Sequence, residues 1–482
     1  MLNTLADWLT YLESLHPKTI ALGLERVAQV KQRLNLDPDF PIITVGGTNG
    51  KGSVCAMLES MLHAAGYRVG CYTSPHLLHY NERVRIGKQQ VSDAELCSSF
   101  EKIEQARGAV VGRALARDGD VGLKPDLQVP LTYFEFGTLA VMQLFIEKQV
   151  EVAILEVGLG GRLDAVNVFD SDCAVVTSVD IDHTDYLGET REQIAFEKAG
   201  IFRAGKVAIC ADAEVPQAIR NHAQQIGAKL WCSGSEFGFT ENFLPSPAGG
   251  RGIEGEGSGN GARTISIAQP LTRPAGHPLP PTGEGKAQWD YRSLVGSRNA
   301  LPHPALRGAF QLHNASAALA ALDALKERLP VSMDAVRRGL VEVQLAGRFQ
   351  VVPGRPQLIL DVAHNPHAAR SLAQNLAGMP PAKTFAVFAM LRDKDMAGVA
   401  AALDPHIDTW LVAGIDAPRG AAAGELAQVL QNTGVRGDIQ SFLDVGEALR
   451  YAYNAAGEND RIAAFGSFYT VAEAMAAKGL KF

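Results

Sequence analysis

Between Ile42 and Ser53 the chain reads IITVGGTNGKGS, a β-branched strand running straight into a turn that holds four glycines and a single lysine. Gly46, Gly47, Gly50 and Gly52 lack Cβ atoms, so backbone N–H groups can close around an anion. The helix that follows adds its positive N-terminal end. Thr48 and Asn49 sit inside the turn, Lys51 offers counter-charge to terminal phosphates, and the Ser53 hydroxyl is placed to meet Mg²⁺. The segment therefore predicts a strand–turn–helix unit that cradles nucleotide phosphates. It departs from the usual G-x-x-x-x-G-K-[ST] spacing, because Val45 stands where the first glycine belongs and Gly52 separates the lysine from the hydroxyl. On spacing alone, an ordinary tight turn stays open as the alternative.

At 482 residues the chain exceeds what one hydrophobic core usually supports, so two or three domains are expected. No apolar run has the length needed to span a bilayer, which argues against membrane insertion. The first residues carry acidic side chains at helical spacing in place of a basic start and an apolar block, and predict a cytoplasmic protein. Net charge is −7 and no lysine or arginine cluster forms a nucleic-acid footprint. Six cysteines without CxxC spacing read as buried thiols, not as a zinc site or disulfide framework.

Two short amphipathic helices are expected between residues 5 and 35, broken at His16-Pro17, followed by a strand at 42–45 and a helix at 53–65. A second strand at 67–72 completes a βαβ unit, and short β-branched runs at 151–157, 173–179 and 206–210 read as strands buried on both faces of a mostly parallel sheet. From about 245 to 288 glycine, proline and small polar residues dominate. That composition predicts a disordered surface insertion, with a lid over the site as the alternative. After Gly347-Arg348 a second α/β pattern begins, with apolar runs at 357–362, 384–390, 408–413 and 461–465 and helices at 366–377 and 424–432. The expected fold is thus α/β: a P-loop-type, mostly parallel N-terminal ATPase domain over 1–330 and a smaller Rossmann-like α/β domain over 331–482.

In such sheets chemistry gathers beyond the carboxyl ends of the strands. Ser74 follows the second strand as a candidate metal ligand, or as part of a plain Ser-Pro turn. Arg83 offers a bidentate grip on a carboxylate, or is simply solvated. Glu156 closes the run Val152–Leu155 before a glycine turn, the position of a Mg²⁺ ligand or of a salt-bridged cap. The run Asp180-Ile181-Asp182-His183-Thr184-Asp185 packs three carboxylates and a histidine after another strand, which favours a metal site over a structural histidine. Lys198 reads as a cation at a helix C-terminus. Asp361, His364 and Asn365 again end a strand, either capping their own helix or facing a ligand.

Taken in order, TNGKGS, TSPHL, NERV, TYFEFGTL, EVGLGGRLDAVN, DHTDYLG, EKAGI, GRF, LDVAHNP and GSFYT resemble the folylpolyglutamate synthase and dihydrofolate synthase family, within the Mur ligase superfamily. The motifs span about residues 40 to 470, and only the glycine/proline-rich insertion lacks a counterpart. The resemblance implies an ATP-dependent ligase that joins L-glutamate to dihydropteroate and to folates through an acyl phosphate, and it implies a monomer. It implies that Gly47 to Ser53 hold the phosphates, with Lys51 as their counter-charge, and that Ser53, Ser74, Glu156 and His183 bind magnesium, two ions in all. By the same resemblance Lys198 is carbamylated and organises the second metal. Asn314 resembles the adenine contact, Arg348 and Asp361 resemble residues that meet the phosphates and ribose, and Phe134 resembles the aromatic that stacks on the pterin. Asp164 and Asn167 resemble residues near the pteroate, and His364 and Ser467 glutamate-side contacts. For Phe134, core packing is the plain alternative. A monofunctional folylpolyglutamate synthase and a muramyl-type ligase share this fold, and a P-loop regulatory ATPase that binds a partner is the reading from another class.

Overall fold

The computed structural model describes residues 2–16, 20–108, 128–242 and 288–480. The expected insertion at 245–288 lies almost wholly outside the described residues, which resume at Gln288. The chain separates into two compact units, Met1–Cys232 with Ala317–Val336, and Ser233–Ser316 with Arg337–Phe482.

The first unit is built on an eight-stranded sheet of β1 (Ile42–Gly46), β2 (Val69–Tyr72), β3 (Val84–Ile86), β4 (Gln89–Gln90), β5 (Val152–Glu156), β6 (Cys173–Val176), β7 (Val207–Cys210) and β8 (Lys229–Cys232). Their order is β4-β3-β2-β5-β1-β6-β7-β8. All pairings from β2 to β8 are parallel, while β3 and β4 add an antiparallel edge. Strands β1, β2, β5 and β6 are buried at every position, as expected of strands covered by helices on both faces. One such helix, Lys51–Ala64, begins at the lysine of the glycine turn, two residues earlier than its sequence predicts, because Gly50 takes a left-handed φ of +87° and serves as its N-cap. The first two helices span Leu5–Ser14 and Glu25–Leu34. The expected break at His16-Pro17 falls at the edge of the described residues.

The second unit holds two sheets. Strands β9 (Phe237–Asn242), β10 (Gln288–Ser293) and β11 (Gly296–Pro302) form an antiparallel sheet in the order β11-β10-β9. A six-stranded sheet runs β12-β13-β17-β14-β15-β16, from β12 (Gln350–Val352), β13 (Gln357–Asp361), β14 (Thr384–Phe388), β15 (Thr409–Ala413), β16 (Asp438–Phe442) and β17 (Arg461–Phe465). Only its edge strand β12 is antiparallel to its neighbour. Trp410, Phe388 and Phe465 pack edge to face and tilted at its centre, with ring centroids 5.3–6.2 Å apart. The mostly parallel α/β fold expected of both halves is what the structure shows.

Asp172 ties the first unit's sheet to a distant part of its chain. Its carboxylate accepts from the Ile42 N–H at 3.0 Å, from Lys206 at 2.9 Å and from Arg328 at 2.7 Å, so it joins the start of β1 to the segment Ala317–Val336. Replacing it with alanine leaves a backbone donor and two cations without that acceptor. Asp172→Ala is expected to lower unfolding free energy by about 2 kcal/mol. Urea denaturation of the two proteins measures it, and an unchanged midpoint would show the bridge to be ornamental.

Candidate active site

The order β2-β5-β1-β6 sets four strand ends side by side. Beyond β1 lies the glycine turn, beyond β6 Thr177, at the end of β5 Glu156 and just past β2 Ser74. Register confirms the adjacency, with Val45 paired to Glu156 on one side and to Val175 on the other.

The turn's shape is fixed from β6. Gly47 has a φ of +142°, and a Cβ built there would lie 1.9 Å from Thr177 Oγ1. No side chain fits, and the backbone conformation itself disfavours one. The Thr48 N–H donates to the Ser178 carbonyl at 2.7 Å, and the Asp180 N–H donates to Thr48 Oγ1 at 3.0 Å. The Asn49 N–H donates to Ser178 Oγ at 3.1 Å, while Thr177 Oγ1 and Ser178 Oγ donate to the Asn49 carbonyl at 2.6 and 3.1 Å. Lys51 Nζ donates to the carbonyls of Gly47 and Thr48 at 3.0 and 3.2 Å, so its ammonium lies over the loop. Gly52 and Ser53 follow in the first turn of the helix, with Ser53 buried.

Glu156 is 4 % exposed, and its Oε2 accepts from the Ser74 N–H at 3.1 Å. That bond holds the strand-end carboxylate against the loop bearing the Ser74 hydroxyl. The Ser53 and Ser74 hydroxyls with the Glu156 carboxylate form a hard oxygen donor set suited to Mg²⁺, which takes one or two carboxylates and leaves other positions to phosphate and water. The dense run at 180–185 does not make the metal cluster that its composition suggests. Asp180 Oδ1 accepts from the Ile181 N–H, Asp182 Oδ1 accepts from the His183 N–H at 2.8 Å, and Asp185 is exposed. Among the described residues no group of three His, Cys, Asp or Glu side chains converges as a metal site. The short spacing spends the carboxylates on neighbouring backbone N–H groups. His183 caps the short helix Thr184–Leu187 with a left-handed φ of +53°.

Lys198 lies at the end of the helix Arg191–Ala199 and is buried. Burial pushes its amine down to about 7, the nearby Lys51 charge adds to the shift, and Asp182 opposes it. A lysine there purely for the helix dipole would keep its charge in water.

A second group of residues surrounds Phe134. The helix Tyr133–Glu147 starts from a capping box in which Thr132 and Glu135 satisfy each other's backbone N–H. This sets Phe134 in the first turn, stacked on Tyr72 with centroids 5.8 Å apart and planes at 20°. A Cβ on Gly158 would meet the Phe134 ring at 2.8 Å, so that glycine admits the ring. Arg83 donates from Nε to His76 Nδ1 at 2.9 Å and lies over the rings of Tyr80 and Tyr133 at 5.3 and 5.6 Å. Burial and the Arg83 charge push His76 down to about 4, which keeps its ring neutral and Nδ1 an acceptor. Asp164 is buried and accepts from the N–H groups of Leu159 at 2.8 Å and Val166 at 3.1 Å, holding the glycine turn closed. Asn167 donates to the carbonyls of Arg162 and Gly200 and accepts from Arg203, so its amide is spent on the fold.

The remaining candidates lie in the second unit. Asn314 sits in the helix Gln311–Ala324, where its amide donates to Gln311 Oε1 at 3.1 Å. Arg348 lies over the Phe468 ring at 5.0 Å, and His364 packs near the same ring at 6.5 Å. Asp361 accepts from the N–H groups of Phe349 and Ala363, both at 2.8 Å. Its carboxyl is pushed up to about 6, desolvation outweighing the Arg348 charge and those bonds. Ser467 caps the helix Phe468–Ala477, its Oγ accepting from the Thr470 N–H at 3.0 Å. Arg348, Asp361, His364 and Ser467 thus share one edge of the six-stranded sheet, Arg348 just before the antiparallel β12, Asp361 and His364 at and after the end of β13, and Ser467 after β17. Sequence reasoning did not single out Thr177, Ser178, Tyr72, His76 or Gly158. The signal was present for the first two: a Thr-Ser pair directly after a β-branched run, beside a strand that ends in the glycine turn.

Two segments match Mur ligase families, residues 122–242 the middle domain and residues 347–468 the glutamate ligase domain. With a glycine-turn sheet in one unit and an α/β sheet in the other, the chain is of the Mur ligase class. It is 41 % identical over 475 residues to dihydrofolate synthase/folylpolyglutamate synthase of Escherichia coli K12, covering 98 % of this chain and 95 % of that one. It is similar to the structure of E. coli FolC in complex with DHPP and ADP, at TM-score 0.81 and 40 % identity, covering 99 % and 98 % of the two chains. A bifunctional folylpolyglutamate synthase/dihydrofolate synthase with Mn, AMPPNP and L-glutamate bound superposes at TM-score 0.80 and 43 % identity, with coverage of 99 % and 98 %. The chain belongs to the dihydrofolate synthase/folylpolyglutamate synthase family.

The protonation of Asp164 gives a signature in solution. Burial pushes this carboxyl up from 3.8 to about 7, its backbone bonds and Lys51 only partly offsetting the shift. Between about pH 4 and pH 7 the folded state therefore holds a proton that the unfolded chain has released, so this group's contribution to stability falls as pH rises through that window. Asp164→Asn is expected to gain stability relative to the parent from pH 4 to pH 7, followed by thermal unfolding. A pH-independent difference would mean Asp164 stays ionised throughout.

Proposed function

We propose that this chain uses ATP to form amide bonds, adding L-glutamate to dihydropteroate to give dihydrofolate and then to folates as a polyglutamate. The observation that carries the reading is the alignment of the glycine turn, Glu156 and Ser74 on adjacent strand ends, in a chain 41 % identical along nearly its whole length to a bifunctional enzyme of this kind. Residues 1–330 would hold the ATP-binding part and residues 331–482 the ligase part. We take the protein to work as a monomer in the cytoplasm on small molecules and without nucleic acid, in keeping with its net charge of −7.

A carboxylate oxygen is a poor leaving group. Transfer of the γ-phosphoryl of ATP to the acceptor carboxylate makes an acyl phosphate and releases ADP. The free amine of glutamate then adds to the acyl carbon, and the tetrahedral intermediate expels phosphate while the nitrogen gives up a proton. The protein's share is alignment and charge screening. The N–H groups of Gly47 and of Gly50 to Ser53 would surround the phosphates, those of Thr48 and Asn49 being bonded to Ser178 and holding the turn in shape, and Lys51 would exchange its loop carbonyls for phosphate oxygens. Ser53, Ser74 and Glu156 would hold a divalent cation, which when bound screens phosphate charge. His183 and a carbamylated Lys198 would hold a second. An amine near pKa 7 is about half unprotonated at neutral pH and so can add to CO₂, releasing a proton and replacing a buried cation with an anion.

Phe134 offers its open face to the pterin, and Arg83, held by His76 and two tyrosines, meets an acceptor carboxylate. Asp164 shapes this wall by closing the glycine turn. Asn167 supports it from behind, since its polar atoms already have partners. In the second unit Asn314 would face the adenine, Arg348 and Asp361 the phosphates and ribose, and His364 and Ser467 the incoming glutamate. The aromatic lining around Phe134 suits a flat heterocycle better than a muramyl nucleotide.

Purified protein with ATP, Mg²⁺ and glutamate is expected to release ADP when given either dihydropteroate or tetrahydrofolate. Turnover with tetrahydrofolate alone would reduce the reading to a monofunctional synthase, and ADP release without any acceptor would overturn it. Glu156→Gln is expected to lower kcat by roughly 100-fold or more while the melting profile is kept. Retained turnover would remove Glu156 from the site. For Lys198, ¹³C-bicarbonate is expected to yield a carbamate NMR resonance that grows as pH rises through about 7 and is missing in Lys198→Ala, whose activity a small carboxylic acid partly restores. An identical spectrum for parent and variant would exclude the modification.

A further inference from the structure

The start of the helix that carries Phe134 is tied to a segment that none of the site residues above belongs to. Glu135, the residue after Phe134, is 4 % exposed at its side chain and carries two separate duties. Its Oε2 accepts from the Thr132 N–H at 2.8 Å, completing the cap of the helix Tyr133–Glu147. The same carboxylate takes a forked pair of bonds from Arg26, Nη2 to Oε1 at 2.8 Å and Nε to Oε2 at 3.3 Å. Arg26 Nη2 also donates to the Ala21 carbonyl at 2.7 Å, so the guanidinium pulls the strand-like segment before its own helix onto the start of the Phe134 helix. Two residues further, Gly23 donates its N–H to the Leu163 carbonyl at 3.4 Å, at the end of the turn whose Gly158 lies against the Phe134 ring. Gly23 is itself buried with a φ of +142°, a conformation that suits the close approach. Arg26 thereby ties the segment before its own helix to the start of the helix that carries Phe134, and the Gly23–Leu163 bond ties the same segment to the turn that holds Gly158.

We propose that Arg26, through Glu135, is a positioning residue for the acceptor: it fixes the start of the helix that carries Phe134, and with it the ring, without touching the substrate. This rests on the reading that Phe134 meets the acceptor. A planar fork paired with a carboxylate sets direction as well as charge, which a lysine at the same place would not reproduce. The phosphate cradle takes its shape from Thr177 and Ser178 on the other side of β1, so its form does not depend on this clasp.

The test uses the full-length enzyme and three variants. Arg26→Met and Glu135→Gln each break the fork, and Glu135→Gln keeps a side chain able to complete the cap, so it separates the clasp from folding of the helix. Both are expected to raise KM for dihydropteroate roughly tenfold with KM for ATP within about twofold of the parent. Arg26→Lys should recover only part of that loss. In a double-mutant cycle Arg26→Met and Phe134→Ala should be strongly non-additive on the acceptor KM, since both act on one ring. Additive effects, or equal rises in KM for ATP and acceptor, would overturn the clasp and reduce Arg26 to a structural residue. If Phe134→Ala alone leaves the acceptor KM unchanged, the assignment of Phe134 itself falls, and the clasp with it.

Discussion

The approach of β1's glycine turn to Thr177 is the contact on which the rest of the site depends. Adjacent parallel strands lie about 4.8 Å apart, so whatever follows β1 must share space with whatever follows β6. Gly47 meets that constraint by having no side chain where Thr177 Oγ1 would collide with one. Thr177 and Ser178 then hold the turn open from outside, both hydroxyls on the Asn49 carbonyl. Backbone N–H groups in the turn are thereby aimed without relying on a ligand to shape them, which is what preorganised anion binding requires. The same strand spacing delivers Glu156 on β1's other side, so phosphate cradle and carboxylate arrive as one consequence of strand order.

A chain of net charge −7 that handles polyanions must concentrate its positive charge, and the structure does so by restricting where cations can relax. Lys51 lies over its own loop, Arg83 is held between two tyrosine rings and a neutral histidine, and Lys198 is buried close enough to Lys51 that the Lys51 charge disfavours its own. Two lysines beside one phosphate site look redundant until their solvation is compared. The half-exposed Lys51 keeps water contact, whereas desolvation is the largest influence on Lys198. One amine keeps its charge in contact with water and the other is pushed toward the neutral form, a division that burial makes and residue type does not.

How much of this could be read beforehand depended on whether the information was local. The glycine turn, the strands at 42–45, 152–156 and 461–465 and the helix at 366–377 were legible, because β-branched runs, glycine punctuation and Pro366 at a helix start act within a few residues. Asn365 illustrates the point, capping that helix through a bond to the Ala368 N–H at 2.9 Å. The three-stranded sheet of β9 to β11 was not legible, since β9 and β10 are 45 residues apart in number and pair only through tertiary register. The run at 180–185 shows what composition leaves open. Its carboxylates are dense in sequence, yet two of them bond the next residue's N–H, a use that composition cannot distinguish from metal ligation. For Asp164 and Asn167 the resemblance implies a place near the pteroate, and only the structure shows that both bond backbone groups, shaping the local chain from within.

That last distinction bears on how the acceptor wall is built. A flat aromatic ring binds a flat heterocycle through its open face, so the ring's tilt matters more than its presence. Phe134 stacks on Tyr72 and has the tip of its ring against Gly158, and both neighbours sit on chain segments that are themselves fixed, Tyr72 on the fully buried β2 and Gly158 on a turn that Asp164 closes from the next helix start. Rotating the ring would require moving a strand or opening that turn, each far costlier than a rotamer change on an exposed helix. Specificity for a planar acceptor is therefore held in the backbone: a glycine in the turn and a cap at the helix start together define the plane, and the aromatic side chain follows it.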